Sequence, residues 1–123
     1  MHLRVRDLDA SRRFYEAALG ALGRGVNGGD EHFWSDELFV SADGSPTEHL
    51  HLAFQTDGED MVARFHAAAV AAGGRDNGAP GARPYHPGYY AAYVLDPDGN
   101  NVEAVYHGPA SRSAPSVVVT PTD

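Results

Sequence analysis

Apolar and polar residues alternate along 2–6, with Leu3 and Val5 on one face and His2, Arg4 and Arg6 on the other, the period-two pattern of a half-exposed strand. Asp9 can then accept from free backbone N–H groups as the N-cap of a helix over 10–19, striped by Phe14, Ala18 and Ala21. Gly20 and Gly23 end that element, and two short strands are predicted over 31–35 and 37–42. The same order then begins again. An alternating strand over 48–56, a turn at Asp57-Gly58 and a helix from Glu59 to Ala72, striped by Met61, Phe65, Ala68 and Ala72, lead to Gly73-Gly74. A Gly/Pro-rich loop is expected over 77–87. Strands over 89–95 and 102–107 follow, joined by Asp96-Pro97-Asp98-Gly99-Asn100, a turn written in the residues that turns prefer.

Arg13-Phe14-Tyr15 and Arg64-Phe65-His66 occupy matching places in the two helices, each preceded by a His-Leu strand and followed by a glycine stop. An α+β protein of two βαβββ modules is the economical reading. The modules would span 1–46 and 47–107 of a single domain, with a tail over 108–123 outside its core. Within that tail Val117-Val118-Val119 is uncharged and strand-forming, so it could pair with an exposed sheet edge, its own or a neighbour's.

Composition narrows the chemistry. The chain has 123 residues, 42% of them hydrophobic, and no apolar run long enough to span a bilayer, which is the profile of a soluble globular domain with no membrane partner. Seventeen acidic against nine basic residues leave a net charge of -8, which repels a phosphate backbone and argues against a nucleic-acid partner. With no cysteine, disulfides, thiolate metal sites and cysteine nucleophiles are excluded, so any metal must be held by His and carboxylate. The N-terminal residues lack a secretory pattern, making a cytoplasmic location the default expectation.

Within Glu48-His49-Leu50-His51-Leu52-Ala53-Phe54, period two places His49 and His51 on one face of a strand and Leu50, Leu52 and Phe54 on the other. Glu103 interrupts the apolar run of the last strand and needs a partner there, either an arginine or a metal ion shared with His51. Two histidines and one carboxylate form the set used by non-haem iron, and one that also suits Zn, Mn, Co or Ni; His2, on the first strand, is the candidate third ligand. His86 lies on a loop that could fold over a binding site or pack on its own aromatics. Trp34 and Phe33 suit a core or a cavity wall, and His66 and His107 suit the surface.

The runs Val5-Arg6-Asp7-Leu8-Asp9-Ala10-Ser11-Arg12-Arg13-Phe14-Tyr15, His51-Leu52-Ala53-Phe54 and Leu95-Asp96-Pro97-Asp98-Gly99-Asn100-Asn101-Val102-Glu103 together resemble the vicinal oxygen chelate superfamily. That group includes glyoxalase I, extradiol dioxygenases, fosfomycin resistance proteins and bleomycin resistance proteins. The resemblance covers residues 2–107 and is most specific at the Asp-Pro-Asp-Gly turn with a glutamate on the next strand. It implies a glyoxalase-like fold in which the paired modules form a cup-shaped mixed sheet, with metal ligands on first and last strands. His51 and Glu103 match two ligand positions, and Tyr93 matches a position whose side chain looks into the cup. The first-strand histidine of metal-binding members would fall just before Met1, so the resemblance implies that this ligand lies upstream, that His2 substitutes for it, or that no metal is bound; residues 38–42 lack the carboxylate that glyoxalase I supplies from its first module.

The resemblance therefore implies a homodimeric small-molecule metalloenzyme, of lyase, isomerase or dioxygenase type, whose divalent ion (Fe, Mn, Zn, Ni or Co) chelates vicinal substrate oxygens. Glu103 and Tyr93 would serve catalysis, and Tyr93, His86, His49 and Trp34 would bind substrate. The alternative is a metal-free ligand-binding or drug-sequestering protein of bleomycin resistance type.

Overall fold

The computed structural model describes residues 1–35, 38–85 and 87–108, together with the backbone of 117–121. The first module runs β1 (His2–Arg4), α1 (Leu8–Ala21), β2 (Asn27–Gly28), β3 (His32–Ser35) and β4 (Leu38–Ser41). The second runs β5 (Leu50–Gln55), α2 (Glu59–Ala71), β6 (Arg75–Ala82), β7 (Tyr90–Leu95) and β8 (Asn101–Tyr106), and β9 (Val117–Pro121) follows. Each module is βαβββ, and each first strand pairs parallel with its last: the sheet orders are β1-β4-β3-β2 and β6-β7-β8-β5-β9. The valine run does close an edge, pairing antiparallel with β5 of its own chain. No helix among the described residues is long and apolar enough to cross a membrane.

Local chemistry accounts for where the elements differ from expectation. Helix α1 starts two residues earlier than predicted because Asp7, in extended conformation, is its N-cap and accepts from the Ala10 N–H at 3.1 Å; Asp9 lies in the first turn, where its charge favours the helix dipole. The predicted loop over 77–87 is largely β6, and the pair Asn27–Gly28 adds β2. Both lack apolar alternation, and β6 reaches β7 only through register shifts at Asp76/Gly78 and Gly78/Gly81. The buried stripe of α2 is Val62, Phe65 and Ala69 rather than the predicted set.

The matched phenylalanines of the two helices, Phe14 and Phe65, are both buried in one continuous core. That core also takes Leu3, Val5, Phe33, Leu38 and Val40 from the first sheet and Leu52, Phe54, Ala92, Val94, Val102 and Ala104 from the second. Helices and the apolar faces of both sheets therefore share one interior. By the period of two, the opposite faces, carrying His2 in one sheet and His51 and Glu103 in the other, turn away from it.

The first and third of the runs carrying the family resemblance meet at a buried hydrogen bond. The Tyr15 hydroxyl donates to Asp96 Oδ2 at 2.6 Å, while Asp96 Oδ1 accepts from the backbone N–H groups of Asp98 and Asn100, both at 2.9 Å. Arg6 donates to Asp98 Oδ1 at 2.9 Å and to Glu48 Oε1 at 3.1 Å. Gly99, with φ at +86°, completes the turn in the left-handed region that a side chain would strain. Burial pushes the Asp96 carboxyl up, and burial together with the Asp96 charge pushes the Tyr15 phenol well up. This much of the motif is structural: it clamps the first module to the turn that launches β8.

Candidate functional site

Glu103 stands at the middle of β8, paired with Tyr93 of β7 on one side and with Ala53 of β5 on the other, so the sheet aims its side chain outward beside that of His51. The residue is nevertheless only 2% exposed. An ion there needs partners on both oxygens. His51 Nε2 lies 2.7 Å from Oε1, and the Tyr89 hydroxyl donates to Oε2 at 2.5 Å. No arginine takes either oxygen among the hydrogen bonds of the described residues. Next to this pair the Tyr93 ring sits 6.1 Å from that of His51, and the Arg83 guanidinium lies 5.3 Å over Tyr93. Burial first, then the negative charge of Glu103, pushes the Tyr93 phenol up to about 12, so its hydroxyl remains a hydrogen-bond donor at neutral pH.

His2 is not part of this cluster. Its Nε2 bonds Ser41 Oγ at 2.7 Å and lies 3.7 Å from Asp43 Oδ1, all in the first module. Among the described residues no group of three His, Asp or Glu side chains could hold a metal ion. Among the described residues, the donor set at this position is thus one imidazole and one carboxylate. His2, bonded to Ser41 in the first sheet, does not join His51 and Glu103 in the second.

His49 leaves the strand that was expected to carry it. Strand β5 begins at Leu50, and His49 precedes it with φ at +55°, a left-handed backbone that cancels the period-two relation to His51 and leaves the residue exposed. Trp34 is 42% exposed on the outward face of β3, whereas its neighbour Phe33 is in the core. His86 lies outside the described residues. His66 bonds Asp76 at 2.8 Å, and His107 packs edge-on against Tyr89 with ring centres 5.2 Å apart. Tyr89 is the site residue that sequence reasoning missed. It is expected to open the strand that instead begins at Tyr90, and nothing in the local pattern indicates that it bends back onto Glu103.

The outward face of the first sheet is aromatic. His32 stacks on Trp34 and on Phe39, with ring centres 5.7 and 5.1 Å apart, and His2 meets Phe39 edge-on at 5.0 Å. Beside these rings lies a cavity of about 570 Å³ lined by His32, Phe39, Ser41, Asp30, Glu31 and Asp43, among others.

A family model described as the Glyoxalase/Bleomycin resistance protein/Dioxygenase superfamily matches residues 1–104. Among solved structures, a glyoxalase/bleomycin resistance protein from Albidiferax ferrireducens T118 is 31% identical with a TM-score of 0.74, over 85% of this chain and 93% of that one. A glyoxalase-related enzyme from Fulvimarina pelagi is 25% identical with a TM-score of 0.73, over 96% and 94%. A lactoylglutathione lyase from Agrobacterium tumefaciens shares the fold at 21% identity, with a TM-score of 0.62 over 86% and 90%. No curated protein matches the chain.

Proposed function

We propose, from the premise that the chain belongs to the glyoxalase/bleomycin resistance protein/dioxygenase superfamily, that it is a homodimeric small-molecule metalloenzyme whose site is completed between two copies. The observation that carries this reading is the buried Glu103 carboxylate held beside His51 on an outward sheet face. A carboxylate desolvated to this extent, with no arginine partner among the described residues, suits a cation. His51 and Glu103 of one subunit would hold a divalent ion together with His2 of the partner subunit. The first-sheet face bearing His2 is open and aromatic, and a two-fold axis can lay it over the second-sheet face of another copy while burying Trp34 and Phe39, which are 42% and 39% exposed.

When bound, a divalent ion would polarise two neighbouring substrate oxygens and stabilise the negative charge that develops on them. The chain's own residues do the rest. Tyr93 keeps its proton and donates to a substrate oxygen beside His51, with Arg83 fixing its ring from above. The aromatic face of the first sheet excludes water and grips the organic part of the substrate. Lyase, isomerase and dioxygenase chemistry all begin from that oxygen-chelated arrangement.

The test is calorimetric titration of chelator-treated protein with Zn²⁺, Ni²⁺ and Mn²⁺. The wild type should bind one ion per chain, and His51→Ala and Glu103→Gln should each weaken binding by at least about 100-fold. A wild type that binds none of them favours a second reading, for which the stacked rings and cavity of the first sheet speak: a metal-free protein that sequesters a small molecule between aromatic walls.

A further inference from the structure

Both oxygens of Glu103 are engaged within the chain, one by His51 and the other by Tyr89. An ion that draws on this carboxylate therefore meets an internal competitor for Oε2. Tyr89 is held there by a specific local arrangement. Its backbone carbonyl accepts from the Arg83 N–H at 2.9 Å, and its ring meets those of Tyr85 and His107 edge-on, at 4.9 and 5.2 Å. Gly88 just before it has φ at +86°, and a Cβ there would come within 3.1 Å of the Gly108 backbone. This tight left-handed step brings the chain back over the sheet and delivers the phenol to Glu103. Tyr89 also lines a cavity of about 440 Å³ with Arg83, Pro84, Pro87, Gly88 and Tyr90, among others, none of which is Glu103 or His51, so space adjoins the ring apart from the ion pair.

We infer that Tyr89 is a positioning residue for the site: its hydroxyl occupies Glu103 Oε2 while no ion is bound, and withdraws when one binds, leaving the carboxylate free to ligate. The inference rests on the ion-binding reading above and adds a residue to it. The hydroxyl satisfies a buried oxygen that would otherwise be orphaned in the apo protein, so the carboxylate stays preformed and correctly aimed. The cost is competition, because each ion bound requires that hydrogen bond to be broken.

The direction of the effect distinguishes this role from a merely structural one. If Tyr89 only buttressed the fold, removing its hydroxyl would loosen Glu103 and weaken ion binding. If it competes, Tyr89→Phe, which keeps the ring and its contacts, should bind Zn²⁺ or Ni²⁺ about tenfold tighter or more by calorimetry. Binding by the wild type should also produce a tyrosine ultraviolet difference spectrum that saturates with the ion. That spectrum should be largely lost in Tyr89→Phe and retained in Tyr85→Phe. Should Tyr89→Phe lose its cooperative melt, the spectrum of Tyr93→Phe decides, since the ion-saturable signal must survive removal of the other phenol beside His51. A wild type that binds the ion without a tyrosine signal, or a folded Tyr89→Phe with equal or weaker affinity, would overturn the inference and leave the ion site standing. Absence of binding in every variant would instead overturn the ion-binding reading together with this one.

Discussion

The two sheets are built on one geometric plan and filled with different chemistry. In the first, His2 is in register with Phe39, and two residues further along the same strand Ser41 bonds the histidine at 2.7 Å. In the second, His51 is in register with Asn101, and two residues further along Glu103 meets that histidine, also at 2.7 Å. The residue across from Ser41 on the third strand of its sheet is His32, and the one across from Glu103 is Tyr93. His2 is thus the first-module counterpart of His51, and Ser41 the counterpart of Glu103. Besides Phe39 for Asn101 and His32 for Tyr93, the two sites differ by the exchange of a carboxylate for a hydroxyl, with the carboxylate of Asp43 on the exposed rim, where the Ser41 hydroxyl and, more weakly, Arg4 and His2 hold its carboxyl below the usual range. The first sheet can offer an imidazole and aromatic rings; the second offers an imidazole and a buried anion. On the proposed reading, one complete ligand set calls for both sheets.

The largest expected effect is the loss that this asymmetry predicts. Glu103→Gln should abolish ion binding in calorimetry, by at least about 100-fold, whereas Ser41→Ala at the equivalent register should change it by no more than a few-fold. Equal losses from the two would erase the distinction between the sheets. A gain is expected next. Ser41→Glu restores a carboxylate to the first module beside His2, and ion affinity should rise about tenfold; an unchanged affinity would mean that the first-sheet face does not reach the ion.

A third prediction concerns the clamp between the modules. Tyr15→Phe leaves Asp96 Oδ2 buried without its donor and should cost about 2 kcal/mol in urea unfolding near neutral pH. The sign with pH follows from the raised folded-state carboxyl of Asp96. Loss of the phenol raises it further, so the ionised form is penalised in the native state above that value, and the penalty fades as acid protonates it. The destabilisation should therefore shrink toward about pH 4. The smallest effect is at Asp43, whose folded-state carboxyl is lowered. Its contribution is present above the ordinary aspartate range and lost as pH falls through the folded value, so Asp43→Asn should slightly flatten the acid limb of stability and do nothing at neutral pH beyond the range of a surface change.

Much of this plan is legible in the order of the amino acids. The strand-helix order of both modules follows from hydrophobic period and glycine stops, and the Asp96–Asn100 turn follows from residues whose side chains satisfy their own backbone. Glu103 stands out because a charge in an apolar strand demands a partner, and His51 shares its face by the period of two. Other features escape for identifiable reasons. Strand β6 is polar and glycine-rich on both faces and is recruited by its neighbour rather than by its own pattern. His49 fails because one left-handed residue breaks the alternation on which its assignment rests. That His2 does not join His51 is invisible to periodicity, which assigns each residue a face of its own sheet but not how one sheet is placed against the other. Tyr89 escapes because its partner is set by a loop return at Gly88, a tertiary event with no local signature.

The central claim, that one ion site draws on two copies of the chain, can be tested by mixing variants. His2→Ala and His51→Ala should each fail to bind Zn²⁺ or Ni²⁺ alone, since every site in either homodimer lacks one ligand. After exchange of subunits, half the dimers are mixed, and in each of these one site has both histidines and the other neither, so about a quarter of the sites should recover wild-type affinity. Recovery in that proportion by calorimetry is the predicted result. No recovery on mixing, or full binding by His2→Ala alone, would contradict it.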